Sequence, residues 1–409
     1  MKINKSLITI ICVVLLDLIG VGILLPIIPI LLTDPQSKFY LLSQKYTLRE
    51  GYILLGILTG IYSLMQFFAA PILGQLSDRI GRKKVLVVSL LGTAGSYALF
   101  AIGIIFANLP LLFISRAIDG ITGGNISVAQ AVIADNSHPD DRSKNFALIG
   151  AAFGLGFILG PIIGSRFSDP SIVSWFNAAT PFWFAGILSL LNVGLVVFFL
   201  KDTYIPKKVK VMEWFKPWKN FGKVFAREEL RKLFVVEFLY YSGFSFFVTF
   251  LGVLLISHFQ MSQSQIGNFF SILGVWIVFA QTITTRRLAK YFKERQLLRV
   301  SLLANSIAIT LLLFSHRTFY LYLIVPFIAI FNGLSLSNLN GLVSKLAGSH
   351  EQGEVLGVNN SVRSVAESIP PILSGFVAAI FFATTPIFVG AGLIFIGAII
   401  FIVNEKSRI

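Results

Sequence analysis

Six charged side chains fall inside long apolar runs of this sequence: Asp17, Arg116, Asp119, Glu237, Arg363 and Glu367. A charge placed among apolar groups is costly unless it finds polar partners, so such residues mark proton relays, substrate paths or ion pairs. A carboxylate in apolar surroundings can take up and release a proton, and a transporter can couple that event to a change of shape. Asp17 and Asp119 are the candidates for this chemistry in the first half of the chain. Arg116 and Asp119 stand three apart and share a helix face, so a permanent ion pair is the competing reading. Arg363 and Glu367 stand four apart, which makes a local pair that can also line a cavity. Glu237 lies near the end of its apolar run and reads as interfacial. His258 and His316 fall at the outer ends of runs and read as surface residues.

A second group is polar or aromatic but uncharged. Gln66, Asn125, Gln130, Gln281, Asn332 and Asn338 interrupt apolar runs, as does Asn340. Each must be hydrogen-bonded, either to a neighbouring helix or across a cavity. Tyr62, Tyr240, Tyr241, Phe244 and Trp276 supply an aromatic wall for a substrate; packing in the core or against lipid is the plainer role for any one of them. The sequence has no G-x-x-x-x-G-K-S/T loop for a nucleotide, and no catalytic triad or metal-ligand set is apparent. No cofactor is expected, and an enzyme is not indicated.

These residues need a frame, and the composition says which. Of 409 residues, 55% are apolar and only 13% are Asp, Glu, Lys or Arg. An ordinary soluble domain has roughly 25% charged residues, so soluble domains of this length are excluded, as is a disordered chain. The single cysteine, Cys12, excludes an internal disulfide framework. A helix crosses a bilayer with about 20 apolar residues. Twelve runs qualify: 6–32, 51–73, 85–106, 109–134, 146–166, 177–200, 233–257, 265–285, 297–315, 318–347, 356–382 and 385–403. They are continuous rather than alternating, which argues against a membrane β-barrel. The first is too long for a cleaved signal peptide, no small-residue cleavage site follows it, and it carries Asp17 in its middle.

The net charge of +15 is a topology signal. With the loops numbered alternately, the side holding the N-terminus carries 27 basic and 12 acidic residues, and the other side 5 basic and 3 acidic. The spans hold the remaining 2 basic and 4 acidic residues. The excess of Lys and Arg places both termini in the cytoplasm and requires an even number of spans. It also removes nucleic acid as a partner. The longest polar stretch, 201–232, carries ten basic residues with Trp214, Phe215 and Trp218 among them. It is either a segment lying on the membrane surface or a solvated linker. It divides the chain into an N-terminal six-helix bundle (1–200), a linker (201–232) and a C-terminal bundle (233–409). A faint internal repeat agrees: Asp119-Gly120 to Asn125 with Asn332-Gly333 to Asn338, Gly160-Pro161 to Gly164 with Pro370-Pro371 to Gly375, and Leu76 to Arg79 with Leu288 to Tyr291. Such duplication is a mark of secondary transporters.

Three motifs narrow the class. The loop after the second span reads Gly74-Gln-Leu-Ser-Asp78-Arg79-Ile-Gly81-Arg82-Lys83-Lys84. Its glycines suit a tight turn and close helix approach, while Asp78 with Arg79 and Arg82 suits a polar latch. The fifth span places Gly156, Gly160 and Gly164 four apart on one face, where a neighbouring helix can approach, with Pro161 bending the helix. The fourth span reads Arg116-Ala-Ile-Asp119-Gly120-Ile-Thr-Gly-Gly124, and the first has Asp17-Leu-Ile-Gly20. The first loop fits G-x-L-x-D-R-x-G-R-K/R at every fixed position and resembles the major facilitator superfamily. The Gly-Pro motif resembles that of the superfamily's drug:proton antiporters, although Ala147 and Ser165 stand where glycines are usual. Together with Gly124 to Gln130, the motifs resemble most the tetracycline-exporter-like branch. The second-half loop copy is degenerate, with Lys290 and Lys293 in place of Asp78 and Gly81.

The resemblance implies an all-α membrane protein of twelve transmembrane helices in two pseudo-symmetric six-helix bundles. It also implies a latch from Asp78 toward Gly353–Gly357 on the eleventh span and a role for Arg116 in proton coupling. The expected function is proton-coupled export of a small amphipathic molecule, multidrug efflux by antiport, powered by the proton gradient and working by alternating access as a monomer in the inner membrane. The alternative is an importer or facilitator of a nutrient or metabolite such as a sugar, amino acid or carboxylate. A non-transporting receptor would need a soluble domain, and none is visible.

Overall fold

The computed structural model of the chain describes residues 5–137, 142–201, 227–346 and 352–406. The membrane-surface reading of Trp214, Phe215 and Trp218 lies outside them. The described chain is helical: α1 (Lys5–Thr33), α2 (Leu48–Ile80), α3 (Arg82–Ile105), α4 (Leu109–Gly123), α5 (Ile126–Asp135), α6 (Arg142–Phe167) and α7 (Thr180–Phe199). Then follow α8 (Glu228–Ser257), α9 (Gln263–Phe279), a π-turn (Ala280–Thr284) leading into α10 (Thr285–Leu288), α11 (Glu294–Leu313), α12 (Thr318–Leu346), α13 (Gln352–Ile380) and α14 (Thr385–Lys406).

Among the described residues, 10 helices are long and apolar enough to span a bilayer. The other two expected spans depart from that standard for separate reasons. The fourth is split: α4 ends at Gly123 and α5 begins at Ile126, giving pieces of 15 and 10 residues. Gly123-Gly124-Asn125 is a weak helix-forming stretch; Gly124 and Asn125 keep helical dihedrals, but their amides bond the Ile121 and Thr122 carbonyls three residues back, so the helix tightens locally. The eleventh, α13, has 29 residues but carries Asn359, Asn360, Arg363 and Glu367 with several serines, which lowers its hydropathy.

The chain forms two compact units. The first comprises the described residues of 1–45, 61–213 and 262–271; the second comprises those of 46–60, 214–261 and 272–409. The start of α2 therefore groups with the C-terminal helices, and the start of α9 with the N-terminal ones.

In the first unit the glycine stripe of α6 meets α1. A Cβ at Gly156 would lie 2.7 Å from Leu18 Cβ, one at Gly160 2.5 Å from Gly22 Cα, and one at Gly164 2.6 Å from the Ile23 carbonyl oxygen. With no room for any side chain, van der Waals contact between backbones holds the pair, as lipid-solvated helices require. Glycines of α4 do the same toward α2: a Cβ at Gly120 would run into the Tyr62 carbonyl, and one at Gly124 would lie 2.8 Å from the Ala70 amide. Ser189 Oγ donates to the Leu90 carbonyl (2.9 Å), and Phe100 stacks near Phe182 (4.4 Å), joining α3 to α7. The start of α9 packs on α6, where Gly267 faces the Pro161 carbonyl and Ser165, and Ser271 Oγ donates to the Ile158 carbonyl at 3.1 Å.

The second unit repeats this logic. Gly243 of α8 and Gly390 of α14 cross with no space between them. Ser306 Oγ donates to the Ala391 carbonyl (2.9 Å) and Ser335 Oγ to Ser301 Oγ (2.9 Å), linking α11 to α14 and α12. The start of α2 packs on α13, where Gly56 faces the Pro371 carbonyl and a Cβ at Gly375 would lie 2.6 Å from the Tyr52 carbonyl. Pro161 with Gly267 and Pro371 with Gly56 are thus matching contacts in the two units.

Candidate functional site: two intramembrane polar clusters

The α2–α3 junction closes one end of the first unit. Ile80 closes α2, Arg82 opens α3, and Gly81 alone makes the turn with φ 101° and ψ 144°, a region open to glycine and little else. The turn drives Arg82 inward. Its guanidinium contacts Asp78 at 2.5 Å, Ser77 Oγ at 2.6 Å and, through Nε, Asp135 at 3.2 Å. Asp78 and Arg82 are therefore partners within a network that ties the α2–α3 corner to the end of α5. Gly74 lies inside α2, and a Cβ there would lie 3.5 Å from Ser127 Oγ, an ordinary van der Waals contact. Its expected steric necessity is not present. In the second half the corresponding junction is longer, and Lys293 takes an ordinary extended conformation (φ −71°) as the cap of α11.

The polar cluster of the first unit is built on the α4–α5 break. Asn125, in the break, donates from Nδ2 to Asp17 Oδ2 at 3.1 Å. Asn192 of α7 donates to Asp17 Oδ1 at 3.2 Å and to the Val13 carbonyl at 3.1 Å. Asp17 thus has two carboxamide partners, and no cation is among its hydrogen-bond donors. Arg116 instead takes Asp119, at 2.5 Å, with both residues 5% exposed or less. The guanidinium carbon lies 4.3 Å from the centre of the Tyr62 ring, a cation–π contact. Gln66 donates to the Gly123 carbonyl at 2.8 Å and to the Tyr62 hydroxyl at 3.3 Å. The two acidic residues therefore differ: Asp119 is neutralised by a fixed pair, and Asp17 is held by neutral amides. A small enclosed space between α1, α3 and α4 is lined by Leu24, Ser96, Tyr97, Ser115, Arg116 and Asp119, among others.

The second unit has its own cluster. Arg363 Nε donates to Glu367 at 2.7 Å along α13, the expected local pair, and both side chains are about two-fifths exposed (39% and 38%). The Arg363 guanidinium also lies 5.0 Å from the Tyr241 ring centre. Tyr240 is fully buried and donates to the Asn332 carbonyl at 3.3 Å. Asn338 spends its amide on the Leu334 carbonyl of its own helix, at 2.7 Å. Trp276 packs edge-on to Phe279, and Gln281 sits in the π-turn beside Gly333. Gln130 is half-buried on α5.

Two corrections follow. Glu237 is not interfacial: it is 0% exposed, inside α8. Its position near the end of an apolar run hid this, because α8 begins at Glu228, about two and a half turns earlier. Asn192 was missed altogether, although a lone Asn in an apolar run is the same signal that marked Asn125.

Membrane-length helices, glycine-mediated crossings repeated in two units and a buried charged cluster in each define a membrane-embedded transporter of small molecules. The chain matches the Major Facilitator Superfamily over residues 10–371 and 233–408, and it belongs to that family. It is a multi-pass secondary transporter and not an enzyme. It is 29% identical to a class C tetracycline resistance protein of Escherichia coli over 411 residues, 98% of this chain and 96% of that protein. The crystal structure of the human organic anion transporter MFSD10 superposes with a TM-score of 0.71 at 25% identity, covering 98% of this chain and 100% of the other. A D-xylose–proton symporter shares the fold, with a TM-score of 0.76 at 15% identity, covering 98% and 97% of the two chains.

Proposed function

We propose that this protein exchanges protons for a small organic molecule by alternating access and moves that molecule out of the cytoplasm. In this reading the chain has twelve spans in two bundles, its termini are cytoplasmic, it acts in the plasma membrane as a monomer, and the proton gradient is its energy source. The observation that carries the proton step is Asp17: a carboxylate inside the membrane-spanning region, held by Asn125 and Asn192 rather than by a cation. Neutral amides can satisfy the carboxyl in either protonation state, whereas a fixed guanidinium would keep it charged. Export is supported by the Gly-Pro stripe of α6 and by the tetracycline resistance relatives.

A second reading has the broader support: a carrier of a metabolite or organic anion, in either direction, on the same machinery. The likeness to an organic anion transporter extends over 98% of the chain, and Arg363 offers a partly exposed cation for an anionic group. The test is a substrate panel in proteoliposomes with an imposed pH gradient, containing tetracycline, a small carboxylate, a sugar and an organic cation. Accumulation of tetracycline or the cation against the proton gradient supports export by antiport. Uptake of the carboxylate or sugar with protons supports the second reading and overturns the first.

A further inference from the structure

The second cluster contains one group that neither reading uses. Glu237 is 0% exposed, and neither of its carboxyl oxygens has a well-formed hydrogen bond among the described residues. The reason lies in what its neighbours do. The Asn359 carboxamide of α13 is a loosely placed donor toward it, and it also donates to Asn340 at 3.4 Å. Arg363, the cation facing it, directs Nε to Glu367 at 2.7 Å and lies on the Tyr241 ring. Tyr241 is the titratable neighbour on α8 itself, and its hydroxyl is directed loosely to Asn340. From α14, the residues against this part of α8 are Gly390, Ile394 and Gly397; from α12, Asn332 and Ser335 approach the adjacent Tyr240. Of these only Arg363 could neutralise a carboxylate, and it is engaged with Glu367. The contrast with the first cluster is direct: Asp17 has two carboxamide donors and Asp119 has a guanidinium, whereas Glu237 has one loosely placed carboxamide and no paired cation. An anion buried without a paired cation is costly to keep, and a proton is the one ligand that needs no cavity.

We propose that Glu237 is a proton-carrying residue of the second unit, and that Arg363 is shared alternately between it and Glu367. With Arg363 on Glu367, Glu237 carries its proton, and the trio has no net charge. When Arg363 turns from Glu367 to Glu237, the Glu237 O–H bond breaks, the proton leaves to water, and the carboxylate pairs with the guanidinium. Glu367, already two-fifths exposed, is left solvated, and the trio carries one negative charge. A change of shape that moves α8 against α13, or an anionic group that competes for Arg363, thereby sets the proton's position. The inference deepens the proton-coupled reading but rests on it only for its use in transport.

The test needs no substrate and no gradient. Infrared difference spectra are recorded on the purified full chain in phosphatidylcholine vesicles as pH is raised. The wild type should lose the carbonyl stretch of a protonated carboxyl, and Glu237→Gln should lack that one component throughout. Arg363→Gln, which has no guanidinium to receive the carboxylate, should retain the band where the wild type loses it. Glu237→Asp keeps the carboxyl in a shifted position and covers the case in which the glutamine variant fails to fold; its band should be displaced, not lost. A Glu237→Gln spectrum with the full wild-type set of bands, or an undisplaced band in Glu237→Asp, would overturn the proposal. Because transport is not measured, failure here is separable from failure of proton coupling as a whole.

Discussion

At the residue scale, the site residues divide by what their neighbours leave them free to do. Asp119 is tied to Arg116 in a dry pair, and Arg363 to Glu367 in a partly exposed one; Asp17 is cradled by amides, and Glu237 is buried without a paired cation. The spacing rules read the two pairs correctly from sequence, because three and four residues along a helix bring side chains together whatever the fold. They gave no means of finding that Asn125 and Asn192 converge on Asp17, since those contacts join residues 108 and 175 positions apart. Gly81 is the residue whose identity the backbone dictates most strictly. Gly81→Ala places a side chain at φ 101°, and the strain should cost about 1–3 kcal/mol. Thermal unfolding of the purified variant should show the lower midpoint, with the effect much smaller for Gly74→Ala, where a Cβ has room.

At the element scale, the decisive features are backbone approach and one helix break. The four-residue spacing of Gly156, Gly160 and Gly164 announced a close neighbour, and that neighbour is α1. The sequence did not say which helix it would be, because a small-residue stripe encodes proximity and not a partner. The α4–α5 break was read through as one span, since its apolar content continues across the gap and only local conformation differs. Gly160→Leu should force α1 and α6 apart at Gly22 and displace Asp17, five residues back along α1. Folded yield in membranes should fall severalfold, and any folded fraction should unfold at lower temperature. Gly150→Ala, where nothing lies within 4 Å of the added carbon, is the matched control and should behave as wild type.

At the scale of the whole molecule, the duplication seen faintly in sequence is physical. Proline carbonyls at 161 and 371 each receive a glycine, and in each unit an ion pair ties two helix ends together. In the first, Arg82 at the start of α3 bonds Asp135 at the end of α5 (3.2 Å); in the second, Glu294 at the start of α11 bonds Lys345 near the end of α12 (2.8 Å). The two pairs occupy equivalent places with their charges reversed, which is why residue-by-residue matching of the halves did not find them. The second pair is largely exposed and should contribute little to stability, below about 1 kcal/mol. Glu294→Lys should nonetheless lower the unfolding temperature slightly, by placing like charges together, and the double exchange Glu294→Lys with Lys345→Glu should restore it. Non-restoration would mean that the pair is incidental to the helix packing.

The central claim is that proton movement through Asp17 drives the movement of the small molecule. It is tested by recording both fluxes at once in proteoliposomes bearing an imposed pH gradient, with a pH-sensitive dye inside and whichever labelled molecule the panel identifies. The wild type should move protons and substrate in a fixed ratio. Asp17→Asn should abolish gradient-driven transport and its proton flux by about tenfold or more, the factor that 1.4 kcal/mol represents, while gradient-free exchange of substrate continues. Undiminished coupled flux in Asp17→Asn would contradict the account.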